Sequence, residues 1–374
     1  MRIAFYAPLK SPYHPVPSGD RRVARLLLDV MRRAGHEVRV ASRLRAFEGS
    51  GDLRRQTQIK RRAASLVQRY VQMNGRNPPD LWFTYHLYHK APDWLGPAIS
   101  TALSIPYIVA EASFAPKQAN GPWAEGHAHV LDAVRDAARI LVLNPNDTAC
   151  LLPLLDDPGQ LVMVPPFIEM RSARQPGFDR RLQRADFAAL YNLDPNTLWV
   201  AVVAMMRPGD KLESYRILAR AKRQLSDLPL SWLVAGDGPA RNDVEAELVS
   251  DNTVFLGAQD ARGIDLLHAT ADLVVWPAHR EAFGMALLEA QAAGIPVVAG
   301  ASPGVAQIVS HGKTGLLTPA GDDTMLASAV RRLVEDQSLR ERMGVAAMKK
   351  AERFHAIGAA TQQINRVLQE AVTR

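Results

Sequence analysis

Short runs of β-branched and aromatic residues alternate with stretches of helical apolar spacing from one end of this chain to the other. That alternation constrains the fold most, because it marks parallel sheets with helices on both faces, an α/β architecture. In the first half the strand runs are 3–7, 37–42, 81–86, 106–111, 139–144 and 161–164. In the second half they are 198–206, 231–235, 253–256, 273–276, 296–299 and 315–318. Between the first two, residues 20–34 place Val23, Leu26, Leu27, Val30 and Met31 at helical spacing before Gly35 ends the helix. From Asp322 onward the pattern is helical throughout. No short repeat or low-complexity tract is visible, which excludes solenoids and propellers.

The chain has 374 residues, 47% of them hydrophobic, which is too long for one compact core and predicts two domains. The alternation breaks near Val164, where Pro165-Pro166 precedes a polar run containing Pro176 and Gly177. The expected division is an N-terminal Rossmann-like domain over 1–170, a linker over 171–195, and a C-terminal Rossmann-like domain over 196–355. A final helix over 356–374 would pack back on the first domain. Two doubly wound domains of similar size then leave a cleft between them. No apolar run reaches the length of a spanning helix, and the first twenty residues lack the order of a secretory signal, so the expected location is cytoplasmic. The single cysteine, Cys150, excludes an internal disulfide framework or a Cys-based zinc cluster and reads as a small core residue.

Charge is unevenly placed. Residues 1–170 hold 21 Lys/Arg against 15 Asp/Glu, whereas the remainder holds 24 against 23. Nine of the cations fall within 43–76, and a basic amphipathic helix is expected over 56–74, with Ile59, Ala63, Leu66, Val67 and Tyr70 on one face. Two readings stay open for 54–76: peripheral contact with anionic membrane, or a sheet-covering helix with a solvated basic face. Nucleic acid is not expected, since no aromatic-basic interleaving or known module accompanies the charge.

In doubly wound sheets ligands bind beyond the carboxyl ends of the strands. After 198–206 come Arg207 and Lys211, two cations around a Gly-bearing turn. A guanidinium fork with an ammonium suits a diphosphate, and two solvated surface cations is the plainer alternative. After 231–235 comes Gly236-Asp237-Gly238-Pro239, a tight strand-to-helix turn. After 273–276 comes a run from Glu281 to Glu289 that opens a helix, with Gly284 to Ala286 in its first turn, where free N–H groups and the helix dipole favour a phosphate. Glu289 lies in a segment otherwise made of Ala, Leu, Met and Gly, and its carboxylate suits the cis-diol of a ribose. In isolation, both acids could simply stabilise a helix start.

The segments "MMRPGDK", "VAGDGP", "VFLG", "HREAFGMALLEAQAAGIPVVAG" and "HGKTGLLT" occur in this order. Together they resemble the nucleotide-sugar domain of family-4 retaining glycosyltransferases, over about residues 198–320. The resemblance implies the GT-B fold, two facing Rossmann-like domains with an interdomain cleft. It implies that Arg207 and Lys211 hold the donor diphosphate and that Glu281 touches the donor sugar. Phe283, Gly284 and Met285 would wrap sugar and phosphate, with Gly236 beside the donor. Glu289 would bind the ribose, and Val254 to Gly257 would line the base pocket. It further implies a metal-independent transfer with no cofactor besides the nucleoside diphosphate sugar, since no DxD-like pair stands at a strand end. The acceptor hydroxyl would attack on the face the diphosphate leaves, with a phosphate oxygen taking its proton.

The first half matches the family less fully. Ser18-Gly19-Asp20 suits a helix cap near a phosphate, and Gly19 is the loop's only glycine. Many members carry a His after the fourth strand, where this chain has Glu111-Ala112-Ser113. Glu111 is the first candidate to replace it, with Ser113, His86 and His89 as others; His127 and His129 rank below them. The expected activity is transfer of a hexose from a UDP- or GDP-sugar to a glycan or lipid-linked acceptor in cell-surface polysaccharide assembly, at or near the inner face of the membrane. A sugar-nucleotide 2-epimerase and a non-catalytic nucleotide-sugar-binding partner are the alternatives.

Overall fold

A computed structural model describes residues 1–16, 18–170, 179–281 and 283–373. The described chain divides into two compact units. One is Met1–Pro165 with the C-terminal helix Ile357–Thr373, and the other is Pro166–Ala356.

The first unit holds strands β1 (Arg2–Tyr6), β2 (Glu37–Val40), β3 (Leu81–Leu87), β4 (Tyr107–Ala112), β5 (Arg139–Val142) and β6 (Leu161–Met163). They form one parallel sheet in the order β2-β1-β3-β4-β5-β6. Central β4 and β5 are buried along their whole length, as parallel strands sandwiched by helices must be. The helix Gly19–Arg33 follows β1. The Ser18 hydroxyl accepts from the Arg21 N–H at 3.2 Å, Asp20 lies in the first turn, and Arg32 and Arg33 lie in the last, so both ends complement the helix dipole. Against this helix packs Ile357–Thr373, with His36 Nε2 2.8 Å from Asn365 Oδ1 beside the contact.

The second unit holds β7 (Leu198–Val203), β8 (Leu230–Ala235), β9 (Thr253–Gly257), β10 (Leu273–Trp276), β11 (Val297–Gly300) and β12 (Gly315–Thr318). Its parallel order is β12-β11-β10-β7-β8-β9. In each sheet the strand order reverses once, between β1 and β3 in the first and between β7 and β10 in the second. Connections on the two sides of such a point leave to opposite faces, and the backbone opens there.

Part of the stretch read as linker, 171–195, is structured otherwise. Residues 171–178 lie outside the described residues, but Arg180–Tyr191 is a helix of the second unit. Its polarity concealed a buried role. Arg184 is only 9% exposed, pairs with Asp272 at 3.0 Å, donates to the carbonyls of Pro195, Thr197 and Thr270, and lies 3.9 Å over the Trp199 ring. Arg180 reaches the other Asp272 oxygen at 2.7 Å. Cys150, expected in the core, is half-buried at the core's edge, its thiol 3.2 Å from the Asp147 carbonyl.

The basic helix runs over Leu53–Asn74, capped by Asp52, whose carboxylate accepts from the N–H groups of Arg54 and Arg55. Ala63 is buried, while Leu66, Val67 and Tyr70 pack onto the first unit's core, Tyr70 edge-on to Trp82 at 5.4 Å. The apolar face is thus occupied by the domain itself, and Arg54, Arg55, Lys60, Arg61, Arg62 and Arg69 remain exposed. No helix among the described residues is long and apolar enough to cross a membrane.

Glu48 fixes the loop leading into that helix. Its carboxylate accepts from the N–H groups of Ser50 (2.8 Å), Gly51 (2.7 Å) and Asp52 (3.2 Å), from the Ser50 hydroxyl, and from Trp123 Nε1 (3.2 Å). Burial alone would raise its pKa, but these donors outweigh burial and hold it at about 2, against an ordinary 4.5. Glu48 therefore stabilises the fold above about pH 4.5, and that contribution fades as pH falls towards 2. Glu48→Gln should lower the melting temperature at neutral pH and flatten its decline between those values, as thermal unfolding at stepped pH will read.

Candidate functional site

The second unit's candidate site is built where its strand order reverses. β7 ends at Val203, and the chain runs through Arg207 and Gly209 into the helix Asp210–Arg223. Gly209 has φ +84°, a left-handed turn suited to glycine, and puts Lys211 in the helix's first turn. Arg207 lies exposed on the same connection. Two backbone contacts fix this strand end. The Tyr215 hydroxyl donates to the Ala204 carbonyl at 2.8 Å, and the same carbonyl fills the space where a Gly236 side chain would start, 1.9 Å from an ideal Cβ. Gly238 abuts the Met206 carbonyl likewise, at 2.3 Å. Both glycines in the β8 turn therefore answer first to β7's backbone.

Across the reversal, β10 ends at Trp276, and the described residues of the connection after it are tied at several points. The His279 N–H donates to Ser214 Oγ at 3.1 Å, and Ser302 Oγ donates to the Glu281 carbonyl at 2.9 Å. Ala278 (φ +52°) and Arg280 (φ +49°) are left-handed, a strain that packed surroundings must sustain. Gly284 (φ +69°) begins the helix Met285–Ala292, whose first turn contains no acidic residue, so its free amides face no competing carboxylate from that turn. Phe283, Met285 and Glu289 are half-buried, while Glu289's neighbours Leu288 and Ala290 are fully buried.

These two connections also meet at the Glu281 carboxylate. Lys211 Nζ pairs with Glu281 Oε2, and Trp276 Nε1 donates to the same oxygen at 3.1 Å. Lys211 Nζ also lies 5.2 Å from the centre of the Trp276 ring, which Tyr215 meets edge-on at 5.1 Å. Trp276 thus orients both partners of the pair, a role not read from the sequence. The signal was there: an indole ending a buried strand requires a partner for its N–H. Val254 and Gly257 stand on β9, the sheet's edge strand, two positions from β7, and Gly257 is left-handed at φ +68°. Gly19 and Glu111 belong to the first unit and are not brought to this contact within the second.

In the first unit a cluster gathers at its own reversal, between β1 and β3. Asp20, from the first turn of Gly19–Arg33, lies 3.1 Å from His86 Nδ1 near the end of β3. Glu111 Oε1, on β4, is 3.9 Å from the same nitrogen. Ser113 donates to Asp147 Oδ1 at 2.6 Å. Gly19 is exposed, with open space where a side chain would stand. His86 (φ +65°) and Glu111 (φ +60°) are both left-handed inside neighbouring strands, an arrangement costing about 1–3 kcal/mol per residue. Glu111's side chain is 9% exposed, and its Oε2 has no hydrogen-bond partner among the described residues. Burial raises the pKa of Glu111, with His86 opposing, and burial also raises that of Asp147 against the Ser113 bond. Burial works against charge on His86, but Glu111 and Asp20 outweigh it and raise its pKa. Among the described residues no group of three or more His, Cys, Asp or Glu could hold a metal ion.

Of the other histidines, His89 flanks Trp123, its ring centre 5.7 Å away, and His127 is buried against Phe114 at 4.3 Å. His129 stacks on Trp94 and bonds the Asp93 carbonyl at 2.7 Å, a packing role.

Comparison with known proteins places this geometry. The family model "Glycosyl transferases group 1" matches residues 211–350. The chain is 29% identical over 254 residues to an alpha-D-kanosaminyltransferase of Streptomyces kanamyceticus, an alignment spanning 66% of this chain and 63% of that relative. Among solved structures, sucrose-phosphate synthase of Thermosynechococcus elongatus superposes with a TM-score of 0.76 at 20% identity, covering 100% of this chain and 99% of that one. Anabaena HepE in complex with UDP-glucose superposes with a TM-score of 0.72 at 20% identity, covering 99% and 100%. The fold is therefore that of the GT-B glycosyltransferases, and residues 211–350 form a domain of the glycosyl transferases group 1 family.

Proposed function

We propose that this chain is a retaining glycosyltransferase that moves a hexose from a UDP- or GDP-linked donor to a glycan or lipid-linked acceptor, as in cell-surface polysaccharide synthesis. The observation that carries it is the Lys211–Glu281–Trp276 contact at the reversal of the second sheet, beside a helix start free of acidic residues. A diphosphate arriving there competes with Glu281 for the Lys211 ammonium. Once released, Glu281 turns its carboxylate to the hydroxyls of the donor sugar, while Lys211, Arg207 and the first amides of Met285–Ala292 hold the phosphates. Glu289, one turn further along, accepts from the ribose, and the edge strand carrying Val254 and Gly257 receives the base. HepE, bound to UDP-glucose in its crystals, supports a nucleotide-sugar ligand for this fold.

In this mechanism the same cations stabilise the departing diphosphate as its charge develops. The acceptor oxygen forms its bond to the anomeric carbon on the face from which the phosphate leaves, and the acceptor proton passes to a phosphate oxygen. No essential divalent ion is invoked, because the side chains and helix amides supply the charge. In the first unit, Glu111 stands in the region where many family-4 members carry histidine.

The exposed cations of Leu53–Asn74 extend the proposal to peripheral contact with anionic lipid at the inner face of the membrane. With the helix's apolar face occupied, that attraction is electrostatic. Flotation with anionic vesicles should be abolished by raised salt or by reversing Arg54, Arg55, Arg61 and Arg62. Flotation that survives both would contradict the electrostatic contact.

Calorimetry with UDP and GDP tests the donor site. Arg207→Ala and Lys211→Ala each remove a charge-assisted contact of about 1.5–3 kcal/mol and should weaken binding at least about tenfold. Glu289→Ala should weaken nucleotide more than free diphosphate, and unchanged affinity in all three variants would sink the assignment. Trp276→Phe keeps a ring beneath Lys211 but deprives Glu281 of a donor. It should lower kcat by about tenfold with a smaller change in nucleotide affinity, whereas Trp276→Leu should weaken both.

A further inference from the structure

The cluster at the reversal of the first sheet carries more negative charge than its surroundings compensate. Asp20 comes from the helix after β1, Glu111 from β4, and Asp147 from the helix Pro145–Leu151 after β5. Against these three carboxylates stands His86 on β3. Burial opposes charge on Asp20, but the His86 bond outweighs it and lowers its pKa, with Lys10 adding less, and the charges acting on Glu111 are those of His86, Asp147 and Asp20. Neutral hydroxyls meet some of the demand: Ser113 bonds Asp147, and Tyr85, buried on β3, interacts through its hydroxyl with Glu111. Glu111 Oε2 is left without a partner although the side chain is more than nine-tenths buried. A buried carboxylate oxygen lacking a donor costs free energy that something must repay.

Two further features mark the cluster as a ligand site. It lies at the topological switch point, where the backbone opens for ligands. Its two central residues are held in left-handed conformations within neighbouring strands, a strain that bare structure gains nothing from keeping.

We propose that the cluster of Asp20, His86, Glu111 and Asp147 receives a protonated primary amine carried on a sugar ring, with the ammonium drawn to Glu111. A sugar hydroxyl would satisfy one lone pair and leave the charge uncompensated. An ammonium brings a full charge and three donors that can be shared among separate carboxylates. A metal ion would need its ligands converging on one point, and no described group of these residues does so. The sugar ring rests on the transferase reading above; the amine follows from the cluster alone. The amino sugar can be the donor's or the acceptor's, and the two sources are separable by experiment.

In one arm, calorimetry on the full chain compares UDP-glucosamine with UDP-glucose and UDP-N-acetylglucosamine. In the other, glucosamine is compared with glucose and N-acetylglucosamine by the imidazole NMR signals of His86. In at least one arm the amine should bind about tenfold more tightly than both counterparts, as a charge-assisted contact predicts. Its arrival should lower the His86 pKa, because the new cation competes for the same carboxylates. Glu111→Gln should erase the preference. Should that variant fold poorly by thermal unfolding, Asp147→Asn, at a half-buried position, should reduce it. Absence of amine preference in both arms, or a preference that survives these substitutions, overturns the proposal. Failure of UDP and GDP to bind would instead count against the transferase reading, and the free-sugar arm would still decide the amine site.

Discussion

The contact between Lys211 and Glu281 is where the second unit's two halves of sheet are joined chemically. One partner begins a helix after β7 and the other ends the loop after β10, the two strands flanking the reversal of strand order. An ammonium and a carboxylate held together without ligand leave neither group uncompensated in its partly buried setting. On the proposed function, a diphosphate brings more charge than one carboxylate and takes the ammonium without importing a second cation. Trp276 ties the two groups together, since its indole N–H holds Glu281 while its face stays beneath Lys211.

The first unit solves the same topological problem with opposite chemistry. Its reversal is lined by Asp20, His86 and Glu111, an acidic set around one imidazole, where the second unit presents cations and helix amides. Two doubly wound sheets of the same strand number thus offer surfaces of opposite sign at their switch points.

Most of the framework was legible in the sequence because parallel strands are buried on both faces and read as unbroken apolar runs. The runs at 81–86, 106–111 and 139–144 sit on β3, β4 and β5 for this reason. The candidate residues Arg207, Lys211, Glu281 and Gly284 were legible because they follow strand ends at short distances. What escaped depends on pairing across distance. Arg180–Tyr191 looked like linker because its key residue is a buried arginine whose partners, Asp272 and Trp199, come from elsewhere in the chain. Asp147 and the left-handed backbone of His86 and Glu111 carry no local sign, since neither residue type announces positive φ. The Lys211–Glu281 pairing likewise spans seventy residues of sequence.

Beside the candidate site the backbone is packed against itself. The Gly236 and Ala204, Gly238 and Met206, and Gly300 and Pro277 contacts leave less room than one methyl group requires. At these three positions main chain lies directly against main chain, with no side chain between. Any widening of ligand preference over evolutionary time has to come from the side chains around these positions, while the three glycines stay closed to exchange.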